Sequence, residues 1–124
     1  MNALVIDDSR AMRTILRGIL SNLGFNVLEA ADGREAIEQM EQATDIVLAL
    51  VDWNMPVMNG YEFIQEIRSS QVYDGTKLMM VTTETEMENV IAALEAGADE
   101  YLMKPFNTNA ILEKLEILGI RTKE

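Results

Sequence analysis

A chain of 124 residues is one domain's worth of sequence, and 48% apolar residues with only 6% aromatics imply a core filled by aliphatics and the nine methionines. Ten basic residues against twenty-one acidic ones leave a net charge of −11, which repels phosphate backbones and anionic lipid and argues against nucleic-acid or membrane partners. Histidine and cysteine are both absent, which excludes disulfides, thiolate nucleophiles, Ser-His pairs and zinc sites of the usual kind, and leaves carboxylate, hydroxyl and amine chemistry with any metal held by oxygen.

The N-terminus has no basic region ahead of a long apolar run, and no apolar window approaches a membrane span, so the expectation is a soluble, cytoplasmic protein. Residues 3–6 form the first apolar run, a strand that ends in Asp7-Asp8. Met12, Ile15, Leu16, Ile19, Leu20 and Leu23 follow at helical spacing and stop before Gly24, a residue type suited to the first position past a helix. Residues 26–30 read as the second strand, and Asp32 with Glu35 has the spacing of a capping box ahead of Ala36, Ile37 and Met40. The third run, 46–51, leads into Asp52-Trp53-Asn54-Met55-Pro56, and Asn59 with Glu62 repeats the capping-box spacing before Phe63, Ile64 and Ile67. The fourth run, 78–81, ends in Thr82-Thr83-Glu84 and is followed by Val90, Ile91 and Leu94 up to Gly97. The fifth, 100–103, ends in Lys104-Pro105-Phe106, with Ile111, Leu112, Leu115 and Leu118 behind it up to Gly119. Short apolar runs alternating with helical stretches predict an α/β fold with a five-stranded parallel sheet covered by helices on both faces.

In open sheets of this kind ligands bind beyond the carboxyl ends of the strands, so the first polar residue after each strand matters most. Asp7, Asp8, Asp52, Thr82 and Lys104 all occupy such positions. Taken singly, each has an ordinary structural use: an acid capping a helix, a loop acid, a threonine satisfying a strand end, a lysine reaching solvent. Their coincidence at equivalent places in four βα units points to a site. Clustered carboxylates repel and raise one another's pKa, so three of them near neutral pH call for a compensating cation, and Mg²⁺ fits best. With Lys104 as a second positive charge and Thr82 as a hydroxyl donor, the set suits a transferring phosphoryl group, and a remaining carboxylate can accept it.

Asp7-Asp8, the Asp52 to Pro56 run with Gly60, Thr82 and Lys104-Pro105-Phe106 together resemble the signature of receiver domains of two-component response regulators, over the whole chain. Trp53-Asn54-Met55-Pro56, Met80-Val81-Thr82 and Tyr101 are most similar to the stand-alone chemotaxis members of that family. The resemblance implies a flavodoxin-like, doubly wound sheet of strand order 2-1-3-4-5 with five helices, forming a single receiver domain over residues 1–124 without an output domain. It further implies a monomer that is no enzyme toward other substrates but catalyses its own phosphorylation and dephosphorylation.

Position by position, the resemblance makes Asp52 the phosphoacceptor, taking its phosphoryl group from the phosphohistidine of a partner histidine kinase. Asp8 and Asp52 then bind Mg²⁺ directly with the backbone carbonyl of Asn54, and Asp7 acts mainly through water. Lys104 pairs with the phosphoryl oxygens, Thr82 swings toward them, Tyr101 changes rotamer, and Lys104-Pro105 is a cis peptide. Output to a downstream protein target or phosphatase runs through helix four, strand five and helix five. The alternative is a phosphorelay shuttle that passes the group to a histidine phosphotransfer protein.

Rival readings fit less well. Phosphatases of the haloacid dehalogenase type need a second Asp two residues past the nucleophile, where this chain has Asn54. A flavodoxin-like FMN binder cradles phosphate in its first loop, where Asp7-Asp8 would repel it. Arg10, Arg13 and Arg17 recur along helix one, either as a solvated stripe or as a docking face for an acidic partner. Glu86 and Met87 stand where the enteric chemotaxis type is basic, and six acids with no Lys or Arg lie between Thr83 and Met103. Met55, Met58 and Met87 fall in loops by the pattern and are expected to be exposed.

Overall fold

The computed structural model describes residues 1–43, 45–83 and 87–122. The elements run β1 (Asn2–Ile6), α1 (Arg10–Asn22), β2 (Asn26–Ala30), α2 (Gly33–Gln42), β3 (Ile46–Asp52), α3 (Gly60–Arg68), a 3₁₀ turn (Gln71–Tyr73), β4 (Lys77–Thr83), α4 (Met87–Ala96), β5 (Glu100–Lys104) and α5 (Thr108–Ile117). All strand pairs are parallel and the sheet order is β2-β1-β3-β4-β5, as expected for a doubly wound, flavodoxin-like fold. Among the described residues no helix is long and apolar enough to cross a membrane.

Alternate residues of each strand feed two separate cores. Leu4, Ile6, Val51, Leu78 and Met80 pack beneath α2, α3 and α4, where Met40, Phe63, Ile64, Ile67 and Val90 meet them. Ala3, Val5, Leu48, Leu50, Met79 and Val81 face the other way, against Leu16 and Leu20 of α1 and Ile111 and Leu115 of α5. Burial on both sides is the reason the central strands are apolar throughout.

The helix ends follow the residues that satisfy their unpaired backbone groups. Ser9, Asp32, Asn59 and Asn107 each accept a hydrogen bond from the third residue onward, capping α1, α2, α3 and α5. The capping box is complete at Asn59 and Glu62. At α2 it is shifted: Asp32 caps Glu35, but the Glu35 carboxylate accepts from Ala31 N–H instead of Asp32 N–H. Gly24, Gly97 and Gly119 all sit at positive φ just past helix ends, as their positions in the pattern predict.

Three apolar residues of the periodic stripes face solvent. Ile15, Ile91 and Leu94 are exposed, because each flanks a contact line centred on Leu16 and Leu20 in α1 and on Val90 and Ala93 in α4. Met55 and Met58 are half-buried against the α2–α3–α4 core, contrary to expectation, since their loop folds back onto it. Met87 begins α4. Glu84 and Glu86 lie outside the described residues.

At the amino edge of the sheet, Arg68 donates to Gly97 O (3.0 Å), Tyr73 O (3.0 Å), Thr76 O (2.8 Å) and Asp99 Oδ2 (2.8 Å), tying together the ends of α3 and α4 and the starts of β4 and β5. A cavity of about 460 Å³, lined in part by Met40, Ile46, Val72 and Thr76, opens at that same edge, opposite the polar strand ends.

Candidate functional site

β1 lies between β2 and β3, and the register pairs Ile6 with Val51, so Asp7 and Asp52 leave the sheet side by side where the strand order reverses. One carboxylate oxygen each from Asp7, Asp8 and Asp52 lies within 4.8 Å of the others. The three differ in setting: Asp7 is buried, Asp52 half-buried and Asp8 exposed. On the far side, the register of β4 and β5 sets Thr83 beside Lys104. The Lys104 ammonium reaches back across β4 to stand 3.5 Å from Asp52 Oδ1 and 3.8 Å from Asp7 Oδ2.

Asp7 is held at its backbone and at one carboxylate oxygen. Its N–H donates to Ala30 O (3.1 Å) and its Oδ1 accepts from Ser9 N–H (2.8 Å). Its Oδ2 is buried without a hydrogen-bond partner. Burial pushes the Asp7 carboxyl above the usual carboxylate range against the pull of Ser9 N–H and Lys104. Burial, and then the charge of Asp7, push Asp52 up to about 6, with Lys104 opposing. Among the described residues one ammonium, that of Lys104, stands against Asp7 and Asp52, and Asp8 adds a third carboxylate to the cluster. A surplus of negative charge, an all-oxygen donor set and an orphaned buried oxygen are the chemistry of a site for a small, hard divalent cation.

The loop after β3 is pinned at both ends. Gly60 N–H donates to Trp53 O (3.0 Å), and a Cβ at residue 60 would stand 2.4 Å from the Asp52 carbonyl oxygen, so only glycine lets α3 begin this close to the acid. Gly33 N–H donates to Met58 O (3.0 Å), and a Cβ there would meet Met58 Cγ at 2.6 Å, which docks the far end of the loop on the start of α2. Between the anchors, Met58 N–H reaches Pro56 O at 2.7 Å around Val57 at φ +67°, a strained three-residue turn. Asn54 lies exposed in this loop, and the Trp53 ring packs at 5.6 Å on Tyr61 of α3.

Thr82 is buried near the end of β4, and its hydroxyl donates to Thr83 O at 3.4 Å, a long and therefore weak bond. Tyr101 is half-buried on the edge strand β5. Lys114 of α5 sets its ammonium 4.1 Å from the centre of the Tyr101 ring and 2.9 Å from Glu100 Oε1, the same oxygen that accepts from Tyr101 N–H at 2.9 Å. The Lys104-Pro105 peptide is cis.

Residues 3–116 match the profile of the response regulator receiver domain. The chain belongs to that family. It is 42% identical to the chemotaxis protein CheY1 of Helicobacter pylori over 95% of this chain and 96% of that protein. It is likewise 42% identical to a chemotaxis protein CheY homolog of Campylobacter jejuni, over 100% of this chain and 97% of the relative. Among solved structures, the chemotaxis response regulator CheY4 of Vibrio cholerae superposes with a TM-score of 0.86 at 37% identity, covering 94% of this chain and 97% of that one. The chain is thus a CheY-like receiver domain of the chemotaxis type, a signalling protein of a family whose general activity is phosphoryl acceptance.

In this receiver, the residues singled out from the strand ends converge at one edge of the sheet, while Tyr101 lies farther back on β5. Reasoning from sequence missed the surroundings of the site. Arg13 donates from Nη1 to Asp7 O (2.6 Å) and from Nε to Glu29 (3.1 Å), and Arg17 donates to the other oxygen of Glu29. Arg10 and Arg17 are both exposed, and among the described residues Arg10 is the member of that stripe that meets neither Asp7 nor Glu29. Of the acids between Thr83 and Met103, Asp99 is held by Arg68 and Glu100 by Lys114, leaving Glu88 and Glu95 exposed among the described residues.

Proposed function

We propose that this receiver accepts a phosphoryl group on Asp52 from the phosphohistidine of a partner histidine kinase, in a Mg²⁺-dependent reaction, and relays the change to a downstream protein target or phosphatase in chemotaxis-type signalling. The observation that carries the assignment is the position of Asp52. It is half-buried yet accessible, 3.5 Å from the Lys104 ammonium and in reach of both other acids. Asp7 is buried with one oxygen committed to Ser9 N–H, which makes it a poor nucleophile.

The ionised Asp52 oxygen forms the bond to phosphorus as the phosphorus–nitrogen bond breaks, and the electron pair of that bond leaves on the imidazole nitrogen. When bound by Asp8, Asp52 and the Asn54 carbonyl, with Asp7 acting through water, Mg²⁺ supplies charge compensation to the carboxylates and the phosphoryl oxygens. Lys104 pairs with those oxygens. Thr82, whose present bond to Thr83 O is weak, re-aims its hydroxyl toward them, and Tyr101 shifts into the space vacated. The face made of α4, β5 and α5 changes with it and signals onward.

The match over 96–97% of the lengths of the two chemotaxis relatives supports the chemotaxis-type reading. The same proposal takes the receiver to be a monomeric, cytoplasmic regulator that catalyses only its own phosphorylation and dephosphorylation. Intact-mass measurement after incubation with Mg²⁺ and a small-molecule phosphodonor tests the assignment. One added phosphoryl group is expected, absent in Asp52→Asn; equal labelling of the variant would refute it.

A further inference from the structure

We infer that Arg13, braced by Glu29, is a positioning residue for the cation site: it fixes the peptide between Asp7 and Asp8 and so aims the exposed Asp8 carboxylate into the cluster. The inference rests on the reading that Asp7, Asp8 and Asp52 hold a divalent cation.

Residue 7 is gripped at its N–H by Ala30 O, at Oδ1 by Ser9 N–H and at its carbonyl by Arg13 Nη1, at 3.1, 2.8 and 2.6 Å. The carbonyl is the oxygen of the peptide that leads into Asp8. Holding it fixes the plane of that peptide and the direction in which the Asp8 side chain departs. Asp7 and Asp52 are kept in place by burial or by the strand ladder, whereas Asp8 is exposed just past the end of β1 and depends most on its backbone. The planar guanidinium presents diverging donors, so Arg13 grips the Asp7 carbonyl through Nη1 while its Nε is held by Glu29 at 3.1 Å. Arg17 holds the second Glu29 oxygen, so the brace is itself anchored from one turn further along α1. Lysine, with one ammonium, cannot span the same two acceptors in fixed geometry.

The charge of Arg13 alone is a competing account, and Arg10 separates the two. It carries the same charge one turn earlier on α1 but is exposed and makes neither contact. Calorimetric titration of the full chain with MgCl₂, alongside thermal melts, therefore compares wild type with Arg13→Gln, Arg13→Lys, Glu29→Gln and Arg10→Gln. Removing an outer partner of a metal site typically weakens metal affinity by about 10-fold or more. Arg13→Gln is expected to show a loss of that order. Arg13→Lys should recover little of it despite keeping the charge, Glu29→Gln should lie between, and Arg10→Gln should stay near wild type.

Should Arg13→Gln fail to fold, Glu29→Gln carries the test, since it leaves Arg13 in place without its brace, and unchanged affinity in that variant overturns the inference. Mg²⁺ binding by wild type with unchanged affinity in a folded Arg13→Gln overturns it too, as does full rescue by Arg13→Lys or an equal loss in Arg10→Gln. A wild-type protein that does not bind Mg²⁺ overturns the functional reading itself and this inference with it.

Discussion

The Lys104 ammonium stands 3.5 Å from Asp52 Oδ1, longer than an ordinary charge-assisted hydrogen bond yet close enough for strong attraction. It cannot offset two neighbouring carboxylates and burial together, and the Asp52 carboxyl is pushed up to about 6. Lys104→Met removes the cation that opposes this rise, so Asp52 should titrate higher still in the metal-free protein. Carbon-13 NMR of the Asp52 carboxyl across pH 4–9 reads this directly, and a value at or below that of wild type would contradict it.

The same shift makes metal-free stability depend on pH. In the unfolded chain Asp52 loses its proton near 3.8, whereas in the fold it keeps it up to about 6. The folded state binds the extra proton between those values, so this group's stabilising contribution is complete below pH 3.8 and is lost as pH rises through 6. The loss amounts to about 3 kcal/mol at neutral pH. Asp52→Asn should then be more stable than wild type in urea at pH 7 without divalent cations, and the difference should shrink toward pH 4. Added Mg²⁺ should narrow it at pH 7 by stabilising wild type.

The contrast between Asp7 and Asp8 also has a thermodynamic reading. On the proposed reading, Asp8→Ala removes a direct metal ligand from the exposed side of the cluster, whereas Asp7→Ala removes an acid that acts mainly through water. Calorimetry should find Mg²⁺ affinity reduced more by Asp8→Ala, while both variants gain modest metal-free stability by relieving carboxylate repulsion. Equal affinities in the two variants would contradict this division of roles.

Gly60 is where packing and site meet. Alanine there puts a Cβ 2.4 Å from the Asp52 carbonyl oxygen, and neither backbone can yield without moving the acid or the start of α3. Gly60→Ala should cost about 1–3 kcal/mol in unfolding free energy and slow labelling of Asp52 by a small phosphodonor. Unchanged stability together with unchanged labelling would show that the loop has more slack than this contact allows.

The strand ends are legible in the sequence for a physical reason: a polar residue closing an apolar run is conspicuous, and the fold brings all such ends to one edge. Asp7, Asp8, Asp52, Thr82 and Lys104 are found that way. The apolar pattern undershoots the strands, since β3 extends to Asp52 and β4 runs from Lys77 to Thr83, polar residues that the ladder still pairs. Helical periodicity overreads Ile15, Ile91 and Leu94 because the stripe it detects is wider than the face that is covered. The turn at Gln71–Tyr73 is too short to show a period. Arg13, Arg68 and Lys114 are illegible for a further reason. Their partners are backbone carbonyls, an aromatic face or acids of distant elements, and in the sequence each looks like any solvated cation on a helix.

Output is the last consequence of the proposed reading. Thr82 is buried near the end of β4 with its hydroxyl only weakly bonded, and three strand positions in from Lys104 the Tyr101 ring lies under the Lys114 ammonium, 4.1 Å from the ring centre, with Glu100 fixing that ammonium. On the proposed reading, movement of Thr82 toward a phosphoryl group frees space for the Tyr101 ring to shift, and the Lys114–Glu100 pair, with Lys114 over that ring, links the shift to α5. Such a shift needs only a few kcal/mol of differential stabilisation, within reach of a charge-assisted hydrogen bond and an aromatic repacking. Thr82→Ala is therefore expected to keep phosphorylation at Asp52 and to lose most phosphorylation-dependent partner binding. Amide shifts on adding beryllofluoride should spread from Asp52 into β4, α4, β5 and α5. Lys114→Met should broaden or displace the Tyr101 ring resonances even without beryllofluoride, since it removes the charge that holds the ring. Shifts confined to the loops around Asp7, Asp8 and Asp52 would instead favour a phosphate shuttle that relays the group to a phosphotransfer protein, with no output through the distant face.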